Sequence, residues 1–375
     1  MSNSNLGLYL HVPFCASRCP YCSFFTKRPE GSERDLYVNA LKWDLTARSA
    51  FLHAKVDTVY FGGGTPSVLP GQDIADLLQT IEGLFYLVPA PGMDAPEITV
   101  ECNPSSDLES FLPVVAEAGV NRISLGLQSA VDAERKALGR KAEAEQVKDC
   151  IALAQANGIT NLSLDVMLGV PGQTAESLAR TLDFCAESGA THVSAYILKL
   201  EEGTVFWKRQ DQLNLPDEDT VAALYTQTCD TLESYGFRQY EISNFAKPGY
   251  ESRHNFKYWH CEDYMGFGPS AHSFIDGGRF YYPADLEAYL AEKARLVHDG
   301  PGGSPGERLM LALRLTEGYT GPLSDAVLSR AREPQLQPFV KLEPAGPEGW
   351  HLSLTRDGFL VSNAVLAELL KDIDI

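Results

Sequence analysis

Between residues 6 and 200, six short runs rich in aliphatic, aromatic and β-branched residues alternate with longer stretches in which apolar positions recur every three or four residues. The short runs are "LGLYLHV" (6–12), "DTVYFGGG" (57–64), "EITVECN" (97–103), "NRISLGLQS" (121–129), "NLSLDVMLGV" (161–170) and "HVSAYILKL" (192–200). They predict strands. The stretches 35–52, 72–86, 107–118, 143–157, 175–188 and 218–235 carry helical periodicity, and several end near a glycine, as at Gly119, Gly158, Gly189 and Gly236. Strand and helix in strict alternation predict parallel βα units.

A Rossmann-like open sheet and a complete or partial βα barrel both satisfy that alternation. The polar residues arbitrate, because Gly62 to Gly64, Glu101, Gln128, Asp165 and Tyr196 all fall at or just after the C-terminal ends of successive strands. Barrel enzymes build their sites at that rim. The predicted fold is therefore α/β, a partial (β/α)6 TIM-like barrel over residues 1–240.

The pattern changes after 240. Residues 241–299 form a connecting segment, and "GPGGSPGE" (300–307) has the composition of a flexible linker. Residues 300–375 predict a small α+β, winged-helix-like domain, in which "WHLSLTRDGFLVS" supplies a two-stranded wing and "NAVLAELLKD" a helix.

Composition narrows the function classes. The chain has 375 residues, 44% of them hydrophobic, which suits one large domain and a smaller one. Its net charge of −19 is spread along the sequence and repels phosphate backbones and anionic lipid surfaces, so no nucleic acid is expected as a partner. A winged helix often binds DNA, yet residues 301–375 hold 7 Lys/Arg against 10 Asp/Glu. "MSNSNLG" has no basic stretch followed by an apolar run, and no window reaches the roughly 20 apolar residues of a membrane span. A cytoplasmic protein without an integral membrane segment is expected, its eight cysteines reduced.

Three of those cysteines crowd into "HVPFCASRCPYCSFF" (11–25), as Cys15, Cys19 and Cys22. Structural zinc takes four closed ligands, usually as two Cys-x-x-Cys or Cys-x-x-His pairs, and only one such pair is present, although His11 could complete a set. A redox disulfide between Cys19 and Cys22 would leave Cys15 unexplained. An iron–sulfur cluster accounts for all three, and with three thiolates on four irons one iron stays open to a small chelating ligand. Cys102, Cys150, Cys185 and Cys229 are isolated and read as buried small hydrophobes.

The Cys-x-x-x-Cys-x-x-Cys spacing, the aromatic before the last cysteine and the following "GGGTP" (62–66) resemble the radical S-adenosylmethionine superfamily. That resemblance implies a 4Fe-4S cluster on Cys15, Cys19 and Cys22, with S-adenosylmethionine on the open iron. It also implies S-adenosylmethionine contacts from Tyr9, Tyr21, Gly63, Gly64, Thr65, Glu101, Gln128, Arg140 and Asp165. Capping or a buried ion pair would explain Glu101 and Asp165 without a ligand, and Arg140 could stand on the surface.

A narrower resemblance spans nearly the whole chain. "YLHVPFC", "VYFGGGTP", "RISLGLQS", "GVPGQT", "YEISNFAKPG", "RHNFKYW" and "GFLVSN" are similar to the family that holds oxygen-independent coproporphyrinogen dehydrogenase and its heme-chaperone relatives. The dehydrogenase carries one more cysteine two positions beyond the cluster motif and a long N-terminal extension. Here that position is Phe24, and 14 residues precede Cys15. Both differences favour the chaperone branch, as does "HNFKYW" (254–259), which matches the HNxxYW heme-binding motif associated with it. The resemblance implies heme as a bound ligand through His254, whose imidazole suits heme iron, and a heme-accepting protein such as a respiratory enzyme. His260, Cys261 and His272 lie near enough in sequence to offer a second axial ligand, and His53, His192, His298 and His351 have no evident partners. The alternatives are a radical enzyme that oxidises a porphyrinogen or alkylates a tetrapyrrole, and a binding protein that keeps the cluster as a staple. Oxidation of coproporphyrinogen is expected to be absent.

Overall fold

The computed structural model describes residues 5–48, 54–346 and 349–373. The predicted extension of the first helix to residue 52, and His53, lie outside the described residues.

One sheet organises the molecule. Its strands are β1 (Leu6–Val12), β2 (Lys55–Gly63), β3 (Tyr86–Leu87), β4 (Glu97–Cys102), β5 (Arg122–Gln128), β6 (Asn161–Leu168), β7 (His192–Ile197), β8 (Arg238–Gln239), β9 (Asn244–Ala246), β10 (Tyr264–Phe267), β11 (His272–Ile275), β12 (Gly278–Tyr281) and β13 (Val297–Pro301). The order is β13-β12-β11-β10-β1-β2-β4-β5-β6-β7-β9-β8, with β3 beside β2. β1, β2, β4, β5, β6 and β7 run parallel and in sequence order. They are the six strands of the predicted partial barrel, and they stay open between β8 and β13 because neither edge pairs with the other.

Helices α1 (Glu33–Ala47), α2 (Gly71–Leu84), α3 (Leu108–Glu117), α4 (Asp132–Ala137), α5 (Ala144–Ala156), α6 (Ala175–Glu187), α7 (Val205–Lys208) and α8 (Glu218–Ser234) connect them. Local chemistry fixes several ends. Thr174 and Ser177 form a reciprocal capping box at the start of α6, and Gly158 follows α5 at φ +83°, a conformation open to glycine at little cost. The outward faces of the strands pack on the helices through residues such as Leu8, Leu10, Val59, Phe61, Val100, Ile123 and Leu164, all buried.

The inward faces are different. Along β5, Arg122, Ser124, Gly126 and Gln128 alternate with Ile123, Leu125 and Leu127, and the same period of two places Glu97, Thr99 and Glu101 on β4 and Ser163 and Asp165 on β6. The barrel interior is polar.

Residues 241–299 join this sheet. β10 pairs parallel with β1, and β11 to β13 continue antiparallel from it, so the segment read as a connector extends the barrel wall. It also supplies α9 (Arg253–Trp259), the helix that carries the HNxxYW motif. "GPGGSPGE" is not a free linker either. Gly300 and Pro301 belong to β13, Gly302 donates to the Gly277 carbonyl at 2.8 Å, and Ser304 caps a helix that Pro305 begins. Glycine and proline serve here as turn and first-turn residues, a use that composition alone does not separate from flexibility.

The C-terminal unit holds a three-stranded antiparallel sheet, Tyr319–Gly321, Val340–Pro344 and Trp350–Leu354, in which the last strand lies between the other two. The wing pairs 340–344 with 350–354, and Arg356–Leu360 is a short helix rather than the wing's second strand. This unit is tied to the barrel by the Arg356 pairs with Asp230 and Glu233 on α8.

Candidate functional site

The cysteine segment is a loop closed at its base. Cys15 N–H donates to the Lys27 carbonyl at 3.0 Å and Lys27 N–H to that of Pro13 at 2.9 Å, so residues 13–27 leave and return at the end of β1. "GGGTP" clamps it from the next strand, where Gly64 N–H donates to the Val12 carbonyl at 2.8 Å and Thr65 N–H to that of Phe14 at 2.7 Å. A Cβ on Gly64 would lie 2.5 Å from the Phe14 carbonyl oxygen, and Gly63 has φ +102°. Only glycine fits so close an approach of two backbones.

Cys15, Cys19 and Cys22 are free thiols that line one cavity of about 420 Å³ at the C-terminal ends of the strands. Cys15 Sγ lies 3.3 Å from Thr65 Oγ1, and Arg140 Nη1 donates to Cys19 Sγ at 3.7 Å. Burial raises the thiols of Cys15 and Cys22 above their ordinary value, so in the free protein they are protonated. His11 takes no part. It is buried beneath the loop, its two nitrogens within hydrogen-bond distance of Tyr9 Oη and the Phe25 carbonyl, and it is absent from the cavity wall. A zinc set completed by His11 is thereby excluded in this conformation.

Nine expected contact residues fall as follows. Tyr21, Gly63, Gly64, Thr65, Glu101, Gln128, Arg140 and Asp165 line the same cavity as the three thiols. Gln128 sits at a bulge in β5 with φ +67°, a strained conformation for a residue with a side chain, and that kink carries its amide to the cavity. Arg140 is no surface residue, since its Nη2 donates to the Gly126 carbonyl at 2.7 Å. Tyr9 does not reach the cavity. It lies three positions before the end of β1, where its hydroxyl meets His11 Nδ1 at 3.1 Å and its ring packs by Tyr60 and His254.

The carboxyls are coupled through the polar interior. Glu101 accepts from Tyr60 Oη at 2.8 Å, and burial, reinforced by Asp165, raises its pKa to about 7. Asp165 accepts from Ser124 Oγ at 3.0 Å and is raised by burial as well. Arg122 stands among them, 2% exposed. Asn255 of the HNxxYW motif reaches the cavity from α9, and Tyr60, Arg122, Ser124 and Ser194, which were not singled out from the sequence, line it from the strands. The signal that finds them is a polar residue at every second position of strands whose other face is wholly apolar.

His254 is placed at the opposite end of the barrel. α9 closes the N-terminal ends of the strands, its first turn held by Glu97, whose carboxylate accepts from Arg253 N–H at 2.9 Å and His254 N–H at 3.0 Å. Lys257 pairs with Asp57 at 2.8 Å, both buried, and donates to the Asn5 carbonyl at 2.8 Å. His254 itself is 1% exposed. Its Nδ1 shares a hydrogen bond with Thr58 Oγ1 at 2.9 Å and its Nε2 one with Tyr258 Oη at 2.7 Å, and its ring stacks on Tyr60. Burial lowers its pKa to about 3, so it is a neutral imidazole with neither nitrogen free. Ligation of heme iron through His254 would require Tyr258 or Thr58 to leave and the ring to emerge from the core, so the expected heme ligand is closed off in this structure. Among the other histidines, His192 bonds Ser163 and Tyr240, and His260 Nε2 lies 3.0 Å from Glu317 at the surface.

Residues 9–185 match the model of the radical S-adenosylmethionine superfamily. The curated protein "Heme chaperone HemW" of Mycobacterium tuberculosis is 35% identical over 383 aligned residues, covering 99% of this chain and 96% of that protein. The chain belongs to the HemW family. The Bacillus subtilis member is 35% identical over 83% of this chain and 84% of its own length, and the Escherichia coli member 38% identical over 72% and 71%. In architecture the chain is similar to coproporphyrinogen III oxidase (HemN) of Escherichia coli, a radical S-adenosylmethionine enzyme, with a TM-score of 0.81 at 21% identity over 97% of this chain and 90% of that one. The chain shares that enzyme's fold. Among the described residues no helix is long and apolar enough to cross a membrane.

Proposed function

We propose that this chain is a heme chaperone, which binds heme and passes it to an acceptor protein, built on a scaffold that holds a 4Fe-4S cluster and S-adenosylmethionine. The observation that carries the reading is end-to-end similarity to HemW proteins in a chain whose three loop cysteines share one cavity with the rim residues. The donor set fits the cluster: three soft thiols on a loop pinned by close backbone contacts, with an arginine donating to one sulfur, while the fourth thiol on the cavity wall, Cys102, is buried on β4 with its Sγ 3.9 Å from the Val100 carbonyl. Cys15, Cys19 and Cys22 would hold it. When bound, the cluster supplies an electron and one iron open to the amine and carboxylate of S-adenosylmethionine.

The chain's own residues do the rest. Gly63 and Gly64 line the cavity and, with the His11 ring and the Phe14 carbonyl where their side chains would stand, hold the cysteine loop against the strand end. Gln128, held out by its bulge, and Arg140 offer donors to polar ligand groups, while Glu101 and Asp165 offer acceptors or, when protonated, donors. Tyr60 and Ser124 hold those carboxyls in position.

Heme ligation through His254 in this reading requires its ring to leave Thr58 and Tyr258. Coproporphyrinogen oxidation is absent in this reading, because Phe24 stands where the dehydrogenase has its further cysteine. Cytoplasmic residence and a respiratory heme enzyme as acceptor complete the proposal. Its test is a joint assay on anaerobically reconstituted protein for heme binding, S-adenosylmethionine cleavage and porphyrinogen turnover. Heme binding without porphyrinogen turnover supports the chaperone, and turnover of coproporphyrinogen with consumption of S-adenosylmethionine overturns it.

A further inference from the structure

A buried cation at the base of the barrel has no partner. Arg122 opens β5 and is 2% exposed, yet its guanidinium makes no hydrogen bond and no ion pair with any described residue, and its Nε is sealed from solvent without an acceptor. Glu97 is the anion that acts on it most strongly. Both oxygens of that carboxylate are taken up by α9, through Ser252 Oγ and the N–H groups of Arg253 and His254. Thr99 stands directly across from Arg122 in the β4–β5 register, on the same inward face, and its Oγ1 is likewise buried without a partner. Folding leaves few buried polar atoms unsatisfied, and an unpaired buried charge is the most costly of them.

The orphaned cation faces a ligand site. Arg122 lines the same cavity as the cluster cysteines, and Asn255 lines it from α9, at the end of the barrel where β5 begins. β5 runs from Arg122 to Gln128, so its two ends lie roughly 20 Å apart. S-adenosylmethionine on the open iron of a cluster at the rim would keep its amino-acid carboxylate there, which leaves the charge of Arg122 unanswered.

We propose that the base of the cavity is a carboxylate subsite, in which the Arg122 guanidinium pairs with a carboxylate of a bound ligand and the Thr99 hydroxyl donates beside it. The planar fork of donors matches one carboxylate. Glu101 and Asp165 on the same cavity wall disfavour the second charge of a phosphate. Such a carboxylate has two sources, the propionate arm of a porphyrin and a free organic acid. The porphyrin rests on the heme-chaperone reading and is the better fit, because the charge of Arg122 acts on the His254 imidazole, so that iron on that histidine and a propionate on Arg122 would belong to one ligand. The subsite itself rests on geometry alone.

The test compares hemin with hemin dimethyl ester, which has no free carboxylate, in Soret titrations of reconstituted wild type, Arg122→Gln and Thr99→Val, each with its iron and sulfide content measured. Thermal unfolding of the same proteins is followed in sodium propionate and in sodium chloride at equal ionic strength. Wild type binds hemin about tenfold more tightly than the ester, and Arg122→Gln brings that ratio close to one by weakening hemin alone. Thr99→Val, which breaks no hydrogen bond within the protein, lowers the ratio severalfold and decides the matter if Arg122→Gln does not fold. Propionate that raises the unfolding temperature of wild type but of neither variant, without a preference for hemin over its ester, keeps the subsite and assigns it to a free organic acid. The same propionate effect in a wild type that binds neither porphyrin overturns the chaperone reading and leaves the subsite standing. If neither the porphyrin ratio nor the propionate effect depends on Arg122 and Thr99, the subsite is overturned.

Discussion

His254 and Thr58 share a hydrogen bond of 2.9 Å across the closed end of the barrel, 196 residues apart in sequence. This contact helps make the HNxxYW helix a plug: Glu97 accepts from its first N–H groups and Asp57 pairs with Lys257.

His254→Ala should therefore cost stability. It leaves Thr58 and Tyr258 without a buried partner and opens a small void, a loss of about 2–4 kcal/mol in chemical denaturation. The native imidazole stays neutral down to about pH 3 while the unfolded one takes a proton near 6.5. A lowered pKa makes its contribution full above the unfolded value and lost progressively as pH falls toward the folded one, so wild type loses stability below about pH 6.5 and the variant loses less. Equal slopes in the two proteins would contradict the assignment.

Glu101 has the opposite sign. Its folded pKa of about 7 lies above the 4.5 of a free carboxyl, so the folded state holds a proton that the unfolded state has released, and stability falls as pH rises between those values. Glu101→Gln keeps a partner for Tyr60 and should flatten that fall. Some slope persists from Glu241, which burial also raises to about 7. A variant with the full wild-type slope between about pH 5 and 7 would show that Glu101 is ionised.

Gly64→Ala should disrupt the cluster loop without touching a ligand. Its methyl group would meet the Phe14 carbonyl at 2.5 Å, and a backbone atom cannot swing aside. Iron content and visible absorbance after reconstitution should fall severalfold, while Gly83→Ala, on open space in α2, changes neither. Full iron loading of Gly64→Ala would refute the close approach.

Cys15→Ala, Cys19→Ala and Cys22→Ala should each abolish the broad visible absorbance of the reconstituted protein, and Cys150→Ala, buried away from the cavity, should leave it intact. Zinc found in place of iron and sulfide would sink the cluster.

Much of this was legible in the chain. Short runs rich in aliphatic, aromatic and β-branched residues located six parallel strands within a few residues, and the residues at their ends, from Gly63 to Asp165, do share one cavity. Arg122 and Ser124 escaped notice because they lie inside β5 rather than at its end, and only the polar alternation along the strand reveals the face they share. Tyr9 shows the converse: correct strand, inward face, but too deep to reach the rim. The surroundings of His254 were hidden for another reason. Its partners, Thr58 and Glu97, are more than 150 residues away, and a histidine beside tyrosine and tryptophan looks the same in sequence whether its nitrogens are free or filled. "GPGGSPGE" likewise reads as a linker until its strand partner, Gly278 to Arg279, is known.

The central claim is that a protein with this radical S-adenosylmethionine architecture carries heme. It is tested most directly by a hemin titration of anaerobically reconstituted protein loaded with about four irons. The account predicts a saturable Soret band at one heme per chain, with the cluster's absorbance and iron content unchanged. A fully loaded protein that develops no Soret band, or one whose heme binding appears only as the cluster is lost, would contradict it.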